Sequence, residues 1–221
     1  ILGRLAFATN PGEGGPNFHF GASGTYAANV PGNAFRFRDR PELRVDPTRM
    51  IDTGQNSITP GALDAVDEIT AYGPELAVNY GPFRAQGEYY VYNFSQSGGA
   101  ADADFDAWYL QASWILTGES YKYDMSKAAY SGVSPANPFM AGGGAGAWEI
   151  AARYSQADLN DSGSGTGGGE QDIITVGLNW YPNKNVRFML NYLDVDVNDR
   201  TNLTTPDFSH QAIALRTQFT F

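Results

Sequence analysis

Seven arginines sit where alternation of residue type would put them beside water: Arg4, Arg36, Arg38, Arg84, Arg153, Arg187 and Arg216. Three glutamates, Glu75, Glu88 and Glu149, fall at comparable positions. Seven against three leaves about +4 on one polar surface of a chain whose net charge is −10. A guanidinium presents a planar fork that suits carboxylate or phosphate. A ring of such groups around a narrow aqueous passage concentrates anions. The same arginines could instead pair with the glutamates and brace a wall. Asn179 and Gln218 share the polar positions and add uncharged hydrogen-bonding groups. The densest basic stretch, "FRFRDRP" at 35–41, would place Arg36 and Arg38 near a constriction, or would pair with Asp39, Glu42 and Asp46.

Other chemistry is poorly served. The two imidazoles are His19 and His210, and alternation sends Ser209 and His210 to opposite faces. A Ser–His hydrolase would need a different serine beside a histidine. "DLNDSGSGTGGGEQD" at 158–172 mixes carboxylates with glycine but lacks calcium-loop spacing, and reads as a solvated surface loop. "GGGAG" at 142–146 has no following Lys-Ser/Thr to cradle a phosphate. The absence of cysteine excludes disulfides, zinc–thiolate sites and a thiol nucleophile, and leaves the redox compartment open. The negative net charge argues against nucleic acid as a partner. No metal, cofactor or catalytic residue is expected.

The elements that must position the arginines are strands. "NVRFMLNYLDVDV" puts Val186, Phe188, Leu190 and Tyr192 opposite Arg187, Met189 and Asn191. "ADFDAWYLQASWILTG" puts Trp108, Leu110, Ala112, Trp114 and Leu116 opposite Tyr109, Gln111 and Ser113. "GAWEIAARYSQ", "DIITVGLNWYP" and "HQAIALRTQFTF" repeat the arrangement. Period two over such lengths is the strand signal. Ten strands are expected near 1–9, 17–29, 34–40, 66–80, 83–95, 103–117, 146–157, 171–181, 185–196 and 209–221. Many approach the ~9–11 residues a tilted strand needs to cross a bilayer. Gly73-Pro74 should mark a bulge or a shortened strand.

Connections tend to alternate between short turns (30–33, 81–82, 182–184) and longer loops (10–16, 41–65, 95–101, 158–170, 197–208), the habit of outer-membrane barrels. Residues 118–145 break the rule and hide either a hairpin or an excursion. Aromatics gather near strand ends, as at Tyr80, Phe83, Trp180 and Tyr181, a depth that amphipathic rings favour. The uncharged run 128–148 contains Pro135 and Pro138 and cannot be a continuous membrane helix. The expected fold class is all-β, a transmembrane antiparallel β-barrel. The alternative is a soluble β-barrel that turns its apolar faces inward around a small ligand. The ending "RTQFTF" resembles the signal read by the machinery that inserts outer-membrane barrels, with Phe221 as its final residue.

Several blocks together point to a family. "FRDRPEL" followed by "IDTG", then "GPELAVNYGPFRAQGEYY", "AWYLQASWILTGESYKYD", "GAWEIAARYSQADLND", "VGLNWYPNKNVRFMLNY" and the terminal "FTF" resemble the phosphate-selective porin O and P family, in order from Phe35 to Phe221. The resemblance implies a bacterial outer-membrane porin of roughly sixteen strands, an even count as such barrels have. It implies a homotrimer among outer-membrane lipids and lipopolysaccharide, passing small anions such as phosphate. Residues 1–221 would be the C-terminal portion of a single barrel domain, completed by strands from the rest of a longer chain. Ten strands closing on themselves would be the other solution. An open edge in lipid is prohibitive in either case.

Overall fold

Strict alternation is satisfied by a strand, where neighbours face opposite sides. In a computed structural model describing residues 1–9, 15–45, 47–54, 63–140, 143–199 and 207–220, nine long segments obey it. In chain order the strands are β1 (Leu2–Ala8), β2 (Asn17–Ala28), β3 (Arg38–Asp39), β4 (Ile51–Asp52), β5 (Val66–Tyr80), β6 (Phe83–Gln96), β7 (Ala103–Ile115), β8 (Tyr123–Asp124), β9 (Ala129–Tyr130), β10 (Ala147–Asp161), β11 (Thr166–Asn183), β12 (Val186–Asn198) and β13 (Phe208–Phe219). The nine long ones form a single antiparallel sheet in the order β1-β2-β5-β6-β7-β10-β11-β12-β13. β1 and β13 are its edges and do not pair with each other among the described residues.

The tenth expected strand, at 34–40, is not part of this sheet. Only Arg38–Asp39 pairs, with Ile51–Asp52, in a two-stranded ribbon of its own. The described residues between β2 and β5 therefore belong to an excursion off the sheet, entered through a 3₁₀ turn at Pro31–Asn33. The physical reason lies in what covers the wall. Phe94, Phe105, Ile173, Leu193, Val195 and Val197 point to the same face as the arginines and are almost fully buried. The excursion lays Met50, Ile51 and Leu63 over them. The Phe37 ring packs 4.9 Å from Tyr92, 5.8 Å from Phe94 and 6.0 Å from Phe105. Burying each such side chain is worth about 1.5–3 kcal/mol, more than a few ladder hydrogen bonds at a sheet edge would return.

Removing that strand also changes the rims. One rim carries the tight turns at 81–82 and 184–185 together with connections 9–16 and 116–146. The other carries 29–65, 97–102, 162–165 and 199–207. The expected loop at 158–170 is instead a hairpin, since β10 runs to Asp161 and β11 begins at Thr166. Of the two alternatives for this segment, a wall hairpin is not found among the described residues of 116–146, since β8 and β9 lie outside the nine-stranded sheet. The segment is an excursion and holds a small ribbon, β8 with β9. Tyr121 and Val133 pack on Ile115, Ala147 and Tyr181 of the wall. Arg4 donates to the Ala128 carbonyl at 3.0 Å, and the Tyr130 hydroxyl donates to Asn17 Oδ1 at 2.7 Å.

Gly73-Pro74 neither bulges nor shortens β5. Tyr72 faces Val91 and Glu75 faces Glu88 in unchanged register, with only the pairing toward β6 interrupted between them. The strands approach so closely that a Cβ at Gly73 would lie 1.8 Å from the Tyr89 carbonyl oxygen.

Candidate functional site

The side of the sheet covered by the two excursions is its inner face, and the opposite side is apolar and uncovered. Leu110, Trp114, Ile150, Val176, Leu178 and Leu190 all lie outward, and Leu215 is 75% exposed. Every expected lining residue on a long strand falls on the inner face by register. Gln111 of β7 lies opposite Arg153 of β10, which lies opposite Thr175 of β11. Glu149 faces Asn179, Asn179 faces Met189, and Arg187 faces Gln218. Arg216 faces Met189 on the same side, Arg84 lies opposite Ser113 and Asn79, and Glu88 lies opposite Glu75. Arg36 and Arg38 depart from expectation. They belong to the excursion, not to the wall, because residues 34–40 are drawn inward by their phenylalanines.

The excursions also bring partners that alternation could not supply. Arg36 makes a two-pronged contact with Asp52, Nε to Oδ1 and Nη2 to Oδ2 at 2.7 Å each. Glu42 reaches across to Arg153, Nε to Oε1 at 2.8 Å, and accepts from Ser155 at 2.9 Å. Asp52 and Glu42 thus pair two of the seven arginines, Arg36 and Arg153, with acids from the excursion. Asp46, the third acid expected near Arg36 and Arg38, lies outside the described residues, as does Phe221. On the wall itself Arg4 binds Glu75 at 2.7 Å. The remaining glutamates are held by neutral donors. Tyr109 donates to Glu88 at 2.5 Å. Glu149, buried, accepts from Tyr121, from Tyr181 at 2.5 Å and from Asn179 at 3.1 Å.

Three arginines on the wall strands are left with no carboxylate partner among the described residues. The Arg84 guanidinium lies 4.9 Å from the centroids of both Tyr121 and Tyr130 and donates to Gln86. Arg187 donates to Gln218 at 2.8 Å and to the Tyr181 hydroxyl at 3.4 Å. Arg216 is exposed and makes no polar contact among them. Arg84, Arg153, Arg187, Glu149 and Asn179 border one cavity of ≈ 220 Å³. A guanidinium without an acid beside it, flanked by low-dielectric rings, attracts a mobile anion more strongly than one already paired. Burial, followed by the Glu149 charge, pushes the Tyr121 hydroxyl well above its usual range, so it remains a donor to that carboxylate.

His19 is buried with Nδ1 2.6 Å from the Tyr123 hydroxyl and Nε2 3.2 Å from Glu75. Neither partner is a serine. Ser209 and His210 take opposite faces, since Ser209 lies opposite the outward Asp196 and His210 opposite the inward Val195. Tyr109, Tyr121, Tyr181 and Glu42 were not among the lining residues the sequence suggests. The signal for Tyr181 was present, because it shares parity with Asn179. Tyr121 lies in a segment without periodicity, and Glu42 in one whose path depends on tertiary packing.

Comparison with known sequences agrees with this architecture. The family described as "Phosphate-selective porin O and P" matches residues 2–221. An uncharacterized protein of Caulobacter vibrioides is 31% identical over 207 residues, covering 93% of this chain and 39% of that relative. Porin O of Pseudomonas aeruginosa is 26% identical over 227 residues, covering 95% of this chain and 50% of that relative. The chain thus spans about half the length of these relatives, or less.

Proposed function

The chain belongs to the phosphate-selective porin O and P family, and from that premise we propose that it forms part of an outer-membrane channel for passive diffusion of small anions, phosphate among them. The observation that carries the anion preference is the set Arg84, Arg187 and Arg216, cations on the inner face without acidic partners among the described residues. Solutes move along that face past Arg153, Glu88, Asn179 and Gln218, with no chemical step, metal or cofactor. Arg36 and Arg38 narrow the passage through the excursion that carries them. The outward apolar face contacts outer-membrane lipid and lipopolysaccharide, an orientation opposite to that of a soluble barrel. The share of its relatives that the chain spans, 39% and 50%, supports residues 1–221 as one portion of a single barrel, closed by strands of the same longer protein. Family likeness supports a homotrimer, and Phe221 would be read by the insertion machinery.

The test is a reversal-potential measurement on the full-length protein in a planar bilayer under a potassium chloride gradient. Chloride should permeate better than potassium. Replacing Arg84, Arg187 and Arg216 by glutamate should lower or invert that ratio. An unchanged ratio would reject the anion preference.

A further inference from the structure

We infer that the pocket where the 116–146 excursion meets β6, β11 and β12 binds small aromatic carboxylates, which deepens the anion-channel reading and rests on it. The cavity is ≈ 560 Å³, within the range of ligand sites and much roomier than one tetrahedral oxyanion requires. Its described lining includes three cations, Arg84, Lys184 and Arg187, and no carboxylate. Glu149 borders the adjoining cavity, but its oxygens are already taken by Tyr121, Tyr181 and Asn179. The Arg84 Nε is buried and finds no acceptor among the described residues.

The rest of the lining is partly apolar. Tyr130 and Val133 supply ring and aliphatic surface to the lining. Tyr130 serves twice, since its ring also flanks Arg84. A carboxylate attached to a ring satisfies both halves: its charge meets Arg84 and Arg187, and its ring covers Tyr130. Inorganic phosphate would leave the apolar half unmatched.

Chloride current through the full-length protein in planar bilayers, recorded while sodium benzoate, acetate or phosphate is added, tests this. Benzoate should inhibit at a concentration about three- to tenfold lower than acetate, the advantage a ring contact provides. Tyr130→Ala should remove the difference and Tyr130→Phe should keep it. Equal inhibition by benzoate and acetate in the unaltered channel, or tightest inhibition by phosphate, overturns the assignment while leaving anion transport intact. A channel without chloride preference over potassium overturns both.

Discussion

Glu42 illustrates what one side chain does when it arrives from outside the wall. Its carboxylate pairs with Arg153 at 2.8 Å and, in the proposed anion channel, removes one cation from the path. Glu42→Gln should free that guanidinium and raise the chloride-to-potassium permeability ratio, roughly twofold or more at low salt. Reversal potentials at matched ionic strength measure it, and a fall in the ratio would show that Arg153 does not face the moving solute. Tyr130 makes a second prediction at the same scale. Its hydroxyl is pushed up from 10.0 to about 12, chiefly by burial, with Arg84 pulling the other way. A raised value means that neutral Tyr130 stabilises the docked excursion fully below pH 10, and that this contribution is lost as pH rises toward about 12. Absorbance titration near the phenolate band should show a late step whose amplitude falls by one tyrosine in Tyr130→Phe.

Among elements, β5 is constrained most tightly at one residue. Gly73→Val would drive side-chain carbon into the Tyr89 carbonyl, 1.8 Å from where Cβ must lie. The cost should be about 1–3 kcal/mol or more, measurable as a lower urea midpoint of the detergent-folded protein, and an unchanged midpoint would refute the close approach. The long strands were legible because alternation over twelve or more residues, as in β7 and β11, has no helical counterpart. Residues 34–40 deceived the same rule, since an extended segment that packs one side on a wall alternates like a strand. A correcting signal was present in β12. Arg187, Met189 and Asn191 are followed on the same face by Leu193, Val195 and Val197, while Asp194 and Asp196 replace the apolar residues outside. That inversion marks where hydrocarbon ends outside and a covering segment begins inside. What covers it was not legible, because one cluster gathers residues about forty to one hundred and fifty positions apart, such as Ile51, Phe94 and Val195. For the same reason the wall arginines could be placed by parity, but the partners that divide them into paired and unpaired could not.

At the scale of the whole molecule, the proposed function depends on a sheet with a greasy outside and a wet, cationic inside. An anion path on the inner face and lipid on the outer face are two statements of one geometry. Residues 1–221 contain no cysteine, so single cysteines placed among them report which side water reaches once any cysteine elsewhere in the protein is replaced by serine. The most direct measurement places them one at a time at Asn179, Arg187 and Gln218, and at Leu178, Leu190 and Leu215, in the full-length protein reconstituted in lipid, with a charged water-soluble thiol reagent. Modification of the first three, with a step in conductance, and silence at the second three is the expected result. Fast labelling at Leu178, Leu190 and Leu215 with protection at the others would contradict the account.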